Sequence, residues 1–245
     1  SGLYAANIVI DTTIPTALSN LTMTPTSGSV SNNYTPVITA DGEGAAAVQV
    51  YTNSGCTTQV GSALISGSGD LNPNPNAAFS VTNITFASNG SQDGLKNFYY
   101  SIVDVAGNAS GCLNTGLSYT LKTLKPYLPV SIALTTPAAS PGNLASPVFT
   151  VGTGANPPAA WSVNIYTDSL CTLPTLKGSS PINTSGTSTA VTVSPALTTD
   201  GSLTYYANFS DDAGNFSNCL GSAVYEYDST APTISTVTTT TASAS

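Results

Sequence analysis

The chain has 245 residues, of which only 7% are charged, and its formal net charge is −8 with four lysines and no histidine. Nucleic-acid binding needs clustered Lys and Arg, so this balance excludes a nucleic-acid partner, and it also disfavours an anionic membrane surface. No apolar run approaches the roughly 18 residues of a membrane-spanning helix, so we expect no membrane insertion. Without His, the usual general base and metal ligand is missing, and we expect no enzyme.

A five-residue joint divides the chain. It reads Asp11-Thr12-Thr13-Ile14-Pro15, recurs as Asp228-Ser229-Thr230-Ala231-Pro232, and appears in degenerate form as Lys122-Thr123-Leu124-Lys125-Pro126. Self-similarity at a fixed period is the signature of a tandem array. We therefore assign residues 11–122 to a first repeat and residues 123–232 to a second.

The two ends of the chain fall outside these repeats. Residues 1–10 contain the β-prone run Asn7-Ile8-Val9-Ile10 just before the first joint, and residues 233–245 follow the last joint. Residues 1–10 are interpreted as the terminal strand of a preceding repeat or an exchanged strand. Residues 233–245 are interpreted as the start of a following repeat or, again, an exchanged strand.

Each repeat contains short apolar runs separated by Gly, Pro, Asn and Ser, which predicts seven strands. In repeat 1 the predicted strands are 18–23, 36–40, 46–52, 59–65, 78–85, 98–103 and 117–121. In repeat 2 they are 130–134, 147–151, 162–167, 175–178, 189–193, 203–209 and 223–227. Seven strands are typical of an immunoglobulin-like sandwich. No helical apolar period is evident, so we predict an all-β chain of two tandem immunoglobulin-like β-sandwich domains with essentially no helix.

Two motifs occur once in each repeat. The first, at 51–57 and 166–172, reads Tyr-Thr-(Asn/Asp)-Ser-x-Cys-Thr. The second, at 104–112 and 211–219, reads Asp-x-Ala-Gly-Asn-x-Ser-x-Cys and follows a double tyrosine. The four cysteines thus fall two per repeat at matching places, which indicates one disulfide per repeat and an oxidising, extracellular compartment.

Together these features resemble the bacterial immunoglobulin-like repeats of large surface adhesin and fibre proteins. The resemblance is carried by the terminal strand, the joints at 11–15 and 228–232, and the Asp-x-Ala-Gly-Asn loops at 104–108 and 211–215. It covers nearly the whole chain, and the cysteine pair marks a disulfide-containing variant. The resemblance implies a stalk or spacer role in a cell-surface or secreted fibre, and in some relatives the acids of joint and loop hold calcium.

The natural cysteine pairing is Cys56–Cys112 and Cys171–Cys219. In an ideal immunoglobulin topology, however, Cys56 after the third strand and Cys112 after the sixth would face opposite ends of the sandwich. A disulfide needs Cα atoms within about 7 Å. Either the segment after Asn108 runs back along the sheet, or the strand assignment is wrong.

Calcium is the candidate ligand at the first joint, because it prefers converging carboxylate and carbonyl oxygens. Asp11, Asp104 and Asn108 are expected at one end of the domain, with Asp41 or Glu43 contributing from another loop. The alternative is that Asp104 and Asn108 only build the turn. At the second joint Lys122 and Lys125 replace the acids, so we expect Asp211 or Asp212 to pair with lysine there. No other cofactor is expected.

Besides calcium, the sequence offers aromatic side chains that could form a binding site for a sugar or a protein. Trp161 begins a strand, and Tyr4, Tyr34 and Tyr127 lie near joints or loops. These rings either bind a ligand or pack at the core and joints, and we favour packing.

The function inferred from the sequence is therefore a structural or adhesive module of an extracellular bacterial surface fibre, with disulfide-stabilised stalk repeats. Its expected partners are neighbouring immunoglobulin-like repeats or identical subunits. Two alternatives remain. One is a subunit of an extracellular filament that assembles by strand exchange through the chain ends. The other is a tip module that binds a cell-surface protein or glycan of a host or prey cell.

Overall fold

The computed structural model describes residues 10–67, 75–154 and 157–238. The chain divides into two compact units: unit 1 comprises residues 1–124 with the short loop 212–215, and unit 2 comprises residues 125–211 and 216–245. The strand predicted within residues 1–10 lies outside the described residues except for Ile10, which belongs to no strand. Of the segment 233–245, only residues 233–238 are described, and they too form no strand.

Unit 1 contains eight strands within its described residues. They are β1 Ser19–Thr24, β2 Val30–Ser31, β3 Val37–Glu43, β4 Ala47–Tyr51, β5 Gln59–Leu64, β6 Asn76–Val81, β7 Gly94–Val103 and β8 Leu113–Leu121. Seven of them overlap the seven predicted strands. The eighth, β2, is two residues long and pairs in parallel with β8, which is too short a segment to leave a pattern in the sequence.

Unit 2 contains seven strands within its described residues. They are β9 Ser131–Thr136, β10 Val148–Gly152, β11 Ser162–Tyr166, β12 Leu176–Pro181, β13 Ser188–Thr192, β14 Gly201–Ser210 and β15 Leu220–Tyr227. Each overlaps one predicted strand. A single 3₁₀ turn, Leu173–Thr175, precedes β12.

Each unit is a two-sheet sandwich. In unit 1 a three-stranded sheet ordered β1-β3-β6 faces a five-stranded sheet ordered β2-β8-β7-β4-β5. In unit 2 the order β13-β10-β9 faces β12-β11-β14-β15. The fourth long strand of each unit, β5 or β12, therefore pairs with the third rather than with the fifth. The prediction of an all-β chain of immunoglobulin-like sandwiches is confirmed.

The core of each unit lies between its two sheets. Alternation along β7 places Phe98, Tyr100 and Ile102 on one buried face, as the two-residue period predicts. The Phe98 ring stacks with Tyr119 at a centroid distance of 6.2 Å. Burying large aromatic and aliphatic side chains contributes roughly 25 cal/mol per Å² of apolar surface, so these layers dominate the stability of the unit. In unit 2 the largest side chains of the core include Phe149, Ile165, Tyr205, Phe209 and Tyr225.

The segment that follows the Asp-x-Ala-Gly-Asn loop runs back along β7. Ala109 forms a bridge with Val103, and the Ser110 N–H donates to the Ile102 carbonyl at 2.8 Å. The Ser110 hydroxyl in turn accepts the Ile102 N–H at 2.9 Å. One serine therefore satisfies both backbone groups of a strand residue, and the chain is extended along β7 before β8 begins.

This return path explains how the disulfide closes. Cys112 directly precedes Leu113, which pairs with Tyr100 in the middle of β7 instead of at its far end. Cys56 and Cys112 are bonded, with a Cα–Cα distance of 5.7 Å. The second predicted pair is also bonded, at the same Cα–Cα distance: Cys171–Cys219. Both predicted disulfides are confirmed, and the first of the two explanations for their geometry is correct.

We expect the replacement of both Cys56 and Cys112 by Ala to destabilise unit 1 by about 4 kcal/mol. The crosslink spans a sequence separation of 56 residues, and chain-entropy loss in the unfolded state gives that magnitude for a loop of this length. Calorimetry should show the unit 1 transition falling while the unit 2 transition stays in place, and the converse for Cys171 and Cys219. An unchanged unit 1 transition would contradict this account of the crosslink.

Candidate functional site at the joints

The Asp-x-Ala-Gly-Asn loop of unit 1 is closed by its own first and last residues. The Asn108 N–H donates to Asp104 Oδ1 at 2.8 Å, and the Asn108 side-chain amide donates to Asp104 Oδ2 at 2.8 Å. The Asp104 N–H donates to the Asn108 carbonyl at 3.0 Å. Gly107 has φ +90°, which a residue with a Cβ rarely adopts, so the motif requires glycine there.

The same asparagine also holds the first joint. The Asn108 side-chain amide donates to the Asp11 carbonyl at 3.2 Å. The Asp11 carboxylate accepts the Thr13 N–H at 2.9 Å and so shapes the joint as an Asx turn. A backbone carbonyl outside any strand is thereby satisfied by a side chain of the domain that follows the joint.

The second copy of the loop makes the equivalent bond. The Asn215 side-chain amide donates to the Lys122 carbonyl at 2.8 Å, and both residues belong to unit 1. In the aligned joints Lys122 occupies the place of Asp11. We call the two asparagines, Asn108 and Asn215, the joint asparagines, because each binds the first carbonyl of the joint that precedes its repeat.

Asp93 binds the residues of the second joint that follow Lys122. The Asp93 carboxylate accepts the N–H of Thr123 at 2.8 Å, its hydroxyl at 2.8 Å and the N–H of Leu124 at 3.1 Å. Burial alone would raise the pKa of Asp93, but these bonds and the charge of Lys96 outweigh it and lower that pKa.

Unit 2 repeats this arrangement at the third joint. Asp200 Oδ1 accepts the N–H of Ser229 at 2.8 Å and its hydroxyl at 2.7 Å, and Asp200 Oδ2 accepts the Thr230 hydroxyl at 2.6 Å. The Thr230 and Ser229 bonds lower the pKa of Asp200. Asp93 and Asp200, here called the joint aspartates, each precede a glycine that begins the long strand β7 or β14.

The joint aspartates were not predicted from the sequence. An Asp-Gly pair before each long strand is visible at 93–94 and 200–201, but that pair is a common turn signal. Its partners lie about thirty residues away, beyond any local pattern. The recurrence of the pair at equivalent places in both repeats is the signal that could have revealed it.

The loops that contain Cys56 and Cys171, at 51–57 and 166–172, are each organised around one acceptor side chain. In unit 1, Asn53 Oδ1 accepts the N–H groups of Thr57 and Thr58 at 3.1 and 2.9 Å. In unit 2, Asp168 accepts from Thr175, Thr172 and Leu170. These hydrogen bonds lower the pKa of Asp168 to about 2, and the bond from the Thr175 hydroxyl has the largest effect.

The structure brings the three predicted calcium residues together through Asn108, as described above. In residues 10–67, 75–154 and 157–238, no three His, Cys, Asp or Glu side chains form a group that could hold a metal ion. Asp41, the candidate from another loop, accepts the Asn20 side-chain amide at 2.6 Å, and Glu43 is buried. Calcium binding at Asp11, Asp104 and Asn108 stays a prediction, while their role in the turn is evident.

Lysine replaces acid at the second joint, as the sequence indicated. Lys122 forms an ion pair with Asp212 in unit 1. Both side chains are about one-third exposed, so the pair contributes little, on the order of 0–1 kcal/mol.

The tryptophan lies in an aromatic cluster of unit 2. The Trp161 ring lies 4.8 Å from Tyr127 and 5.9 Å from Phe209, and the Tyr127 hydroxyl donates to the Thr153 carbonyl at 3.0 Å. These contacts fit the packing interpretation better than a ligand site. Tyr34 is 43% exposed, and Tyr4 lies outside the described residues.

No protein family matches the chain, and no curated protein sequence matches it. Among solved structures, the fibronectin(III)-like modules of Clostridium thermocellum CbhA align over 84% of this chain and 93% of theirs, with 12% identity and a TM-score of 0.42. The D0-D1 domain of intimin aligns over 86% of this chain and 98% of its own, with 17% identity and a TM-score of 0.27. We base the sandwich fold on the strand order alone and take no function from these alignments.

The described residues include no helix with the length and apolar character needed to cross a bilayer.

We expect Asn108→Ala to destabilise unit 1 by about 1–2 kcal/mol. The variant removes the amide bonds to Asp104 and Asp11 and leaves a partly buried carbonyl without its donor. Urea unfolding measures the loss, and Asn218→Ala, at an exposed asparagine of unit 2, is the matched control. Equal stability of the two variants would show that the joint bond contributes nothing.

Stability should fall in acid because the carboxylates of Asp93, Asp168 and Asp200 have lowered pKa values in the folded chain. A group with a lowered folded-state pKa stabilises the fold above its unfolded pKa, near 4, and that contribution disappears as pH falls through the folded pKa. For Asp168 the window is about pH 4 to 2. The free energy of unfolding, plotted against pH, should therefore fall less steeply between about pH 4 and 2 in the Asp168→Asn variant than in the original chain. An identical slope in the variant would contradict the assignment.

Proposed function

We propose that this chain is a structural module of an extracellular bacterial surface fibre or adhesin, in which sandwich domains act as stalk repeats. One observation carries the proposal: the joints themselves are held by dedicated side chains. The joint asparagines bind the first carbonyl of a joint, and the joint aspartates bind the residues after it. A linker that only tethers its neighbours has no need of such bonds, whereas a joint whose own backbone keeps one conformation does.

The disulfides support an extracellular location. Both pairs bridge the same two places in their units, and disulfides of this kind persist in oxidising compartments. They also limit how far each domain extends under tension, because the residues between the cysteines stay closed in a loop. That property suits a non-catalytic, mechanical role at a cell surface.

The filament alternative needs a vacant strand position that another subunit can fill. In both units the first strand is already present: β1 pairs with β3, and β9 pairs with β10. The tip-module alternative assigns a ligand contact to Trp161, whereas the Trp161 ring packs against Tyr127 and Phe209. Both observations favour the stalk.

Light scattering of the full chain over a wide concentration range tests the stalk against the filament. We expect a monomer at every concentration, with or without residues 1–10, because each unit supplies its own first strand. A ladder of polymers that disappears when residues 1–10 are deleted would overturn the proposal in favour of strand exchange.

The same samples test the calcium prediction. Binding at Asp11, Asp104 and Asn108 would raise the melting temperature of unit 1 in millimolar calcium, since a ligand that binds only the folded state stabilises it. Asp104→Asn should abolish that rise. A melting temperature that calcium leaves unchanged would contradict the metal site and leave these residues as turn formers.

A further inference from the structure

We propose that unit 2 carries a binding site for a small acidic saccharide, meaning a sugar with a carboxylate such as a hexuronic acid. The site is a surface cleft of about 440 Å³, and small-molecule sites typically enclose roughly 300–1,000 Å³. The inference is independent of the stalk proposal, because a spacer domain folds with or without a ligand site. Among the residues that line the cleft are Lys177, Leu197, Thr198, Thr199, Ser202 and Leu203.

The walls of the cleft are fixed by backbone hydrogen bonds. The Ser194 N–H donates to the Lys177 carbonyl at 2.6 Å, which ties the segment 193–200 to β12. The Leu197 N–H donates to the Ala145 carbonyl at 2.7 Å, and the Leu197 side chain packs against the core of unit 2. A ligand therefore meets a surface that is already shaped, and its binding does not cost the entropy of ordering a loop.

Unit 1 fills the corresponding place with apolar side chains. The segment between β6 and β7, residues 82–93, contributes Ile84 and Phe86, and both side chains are buried. Val60 on β5 packs against the same core. This side of the unit 1 sandwich is therefore closed by an apolar cover.

In unit 2 the same place is left open. The segment between β13 and β14, residues 193–200, is shorter than its counterpart in unit 1. Lys177 occupies the position of Val60, since each residue precedes the glycine that pairs with the last residue but one of the preceding strand. A shorter segment and a lysine in place of valine thus turn a closed side of the sandwich into a cleft that carries a cation.

The polar groups of this cleft have few partners in the protein. Within the part of the chain that the structure describes, the partly buried Lys177 ammonium forms neither a hydrogen bond nor an ion pair. The exposed hydroxyls of Thr198, Thr199 and Ser202 form no hydrogen bond there either. An ammonium without a counter-charge favours an anionic ligand, and hydroxyls that both donate and accept are complementary to the hydroxyls of a sugar.

A second cleft, on unit 1, differs in this respect. Asn20, Thr39 and Asp41 are among the residues that line it. The Asn20 side-chain amide donates to the Asp41 carboxylate at 2.6 Å, and the Thr39 hydroxyl is bonded to the Thr22 hydroxyl. A ligand in that cleft would have to replace bonds that the protein already makes, whereas the cleft of unit 2 requires no such exchange.

The remaining walls fit the same class of ligand. Asp200 also lines the cleft, but its oxygens accept hydrogen bonds from Ser229 and Thr230, which disperse its negative charge. Leu197 and Leu203 pack against the core and give the cleft an aliphatic wall for the C–H face of a sugar ring. One cation, several hydroxyls and an aliphatic wall together complement a sugar that carries a carboxylate.

Titration of sodium glucuronate into the isotope-labelled full chain, followed by nuclear magnetic resonance, tests the inference. We expect the amide signals of Lys177 and of residues 197–203 to shift with a dissociation constant on the order of 1 mM, which is typical for a ligand of this size. Glucose, which lacks the carboxylate, and acetate, which lacks the ring, should each bind at least about fivefold more weakly.

The Lys177→Gln variant should bind glucuronate about tenfold more weakly, the effect of losing one charge-assisted hydrogen bond. Glutamine keeps most of the side-chain length, and circular dichroism checks that the variant is folded. Lys125→Gln changes an exposed lysine of the same unit that does not line the cleft, and this control should bind glucuronate like the original chain.

Three results would overturn the inference. They are amide signals at 177 and 197–203 that do not shift with glucuronate, a Lys177→Gln variant that binds as tightly as its Lys125→Gln control, and glucose or acetate binding as tightly as glucuronate. None of them bears on whether the chain is a monomer, so failure here is distinguishable from failure of the stalk proposal.

Discussion

The structure depends on how the joints, which lie outside every strand, satisfy their backbone hydrogen bonds. Buried or fixed backbone groups need partners, and a linker has no neighbouring strand to supply them. In this chain side chains do so: Asn108 and Asn215 donate to carbonyls, while Asp93 and Asp200 accept N–H groups. The sandwich cores give each unit its stability, but these four residues connect the units' ends to the joints.

The low content of charged residues favours hydrogen bonds from short polar side chains to the backbone of the joints. With 7% charged residues, the chain has few long side chains able to form ion pairs, and its short polar residues bond to nearby backbone instead. An aspartate that accepts several N–H and O–H groups is ionised well below neutral pH, and so it acts as a fixed acceptor under physiological conditions. The disulfides add a covalent crosslink in each unit, since they join the loop after β4 or β11 to the residue that precedes β8 or β15.

Much of the fold was predictable because its signals are local. Short apolar runs between turn residues located the strands, and repeated motifs located the cysteine pairs. The return of the chain along β7 was left open, because it depends on Ser110 bonding to Ile102, a pairing that no strand propensity encodes. Ser217 does the same for Phe209 in unit 2, so the serine in the motif has a structural reason that the sequence alone did not reveal.

The candidate site was predictable only in part. Asp11, Asp104 and Asn108 were expected to meet, and Asn108 does bond to both of the others. The sequence could not show the direction of these bonds, namely that the asparagine donates its amide. A recurring Asp-Gly pair marks Asp93 and Asp200, but no local pattern links Asp93 to Thr123, because a complete hairpin of β7 and β8 separates the two residues.

The most direct test of this account is amide hydrogen exchange at Thr123, Leu124 and Ser229 in the full chain, residue by residue. If the joint aspartates hold the joints, these amides are protected at neutral pH, and Asp93→Asn releases Thr123 and Leu124 but leaves Ser229 protected. If all three exchange as fast as amides in an unfolded chain, the joints are flexible linkers and the account is wrong.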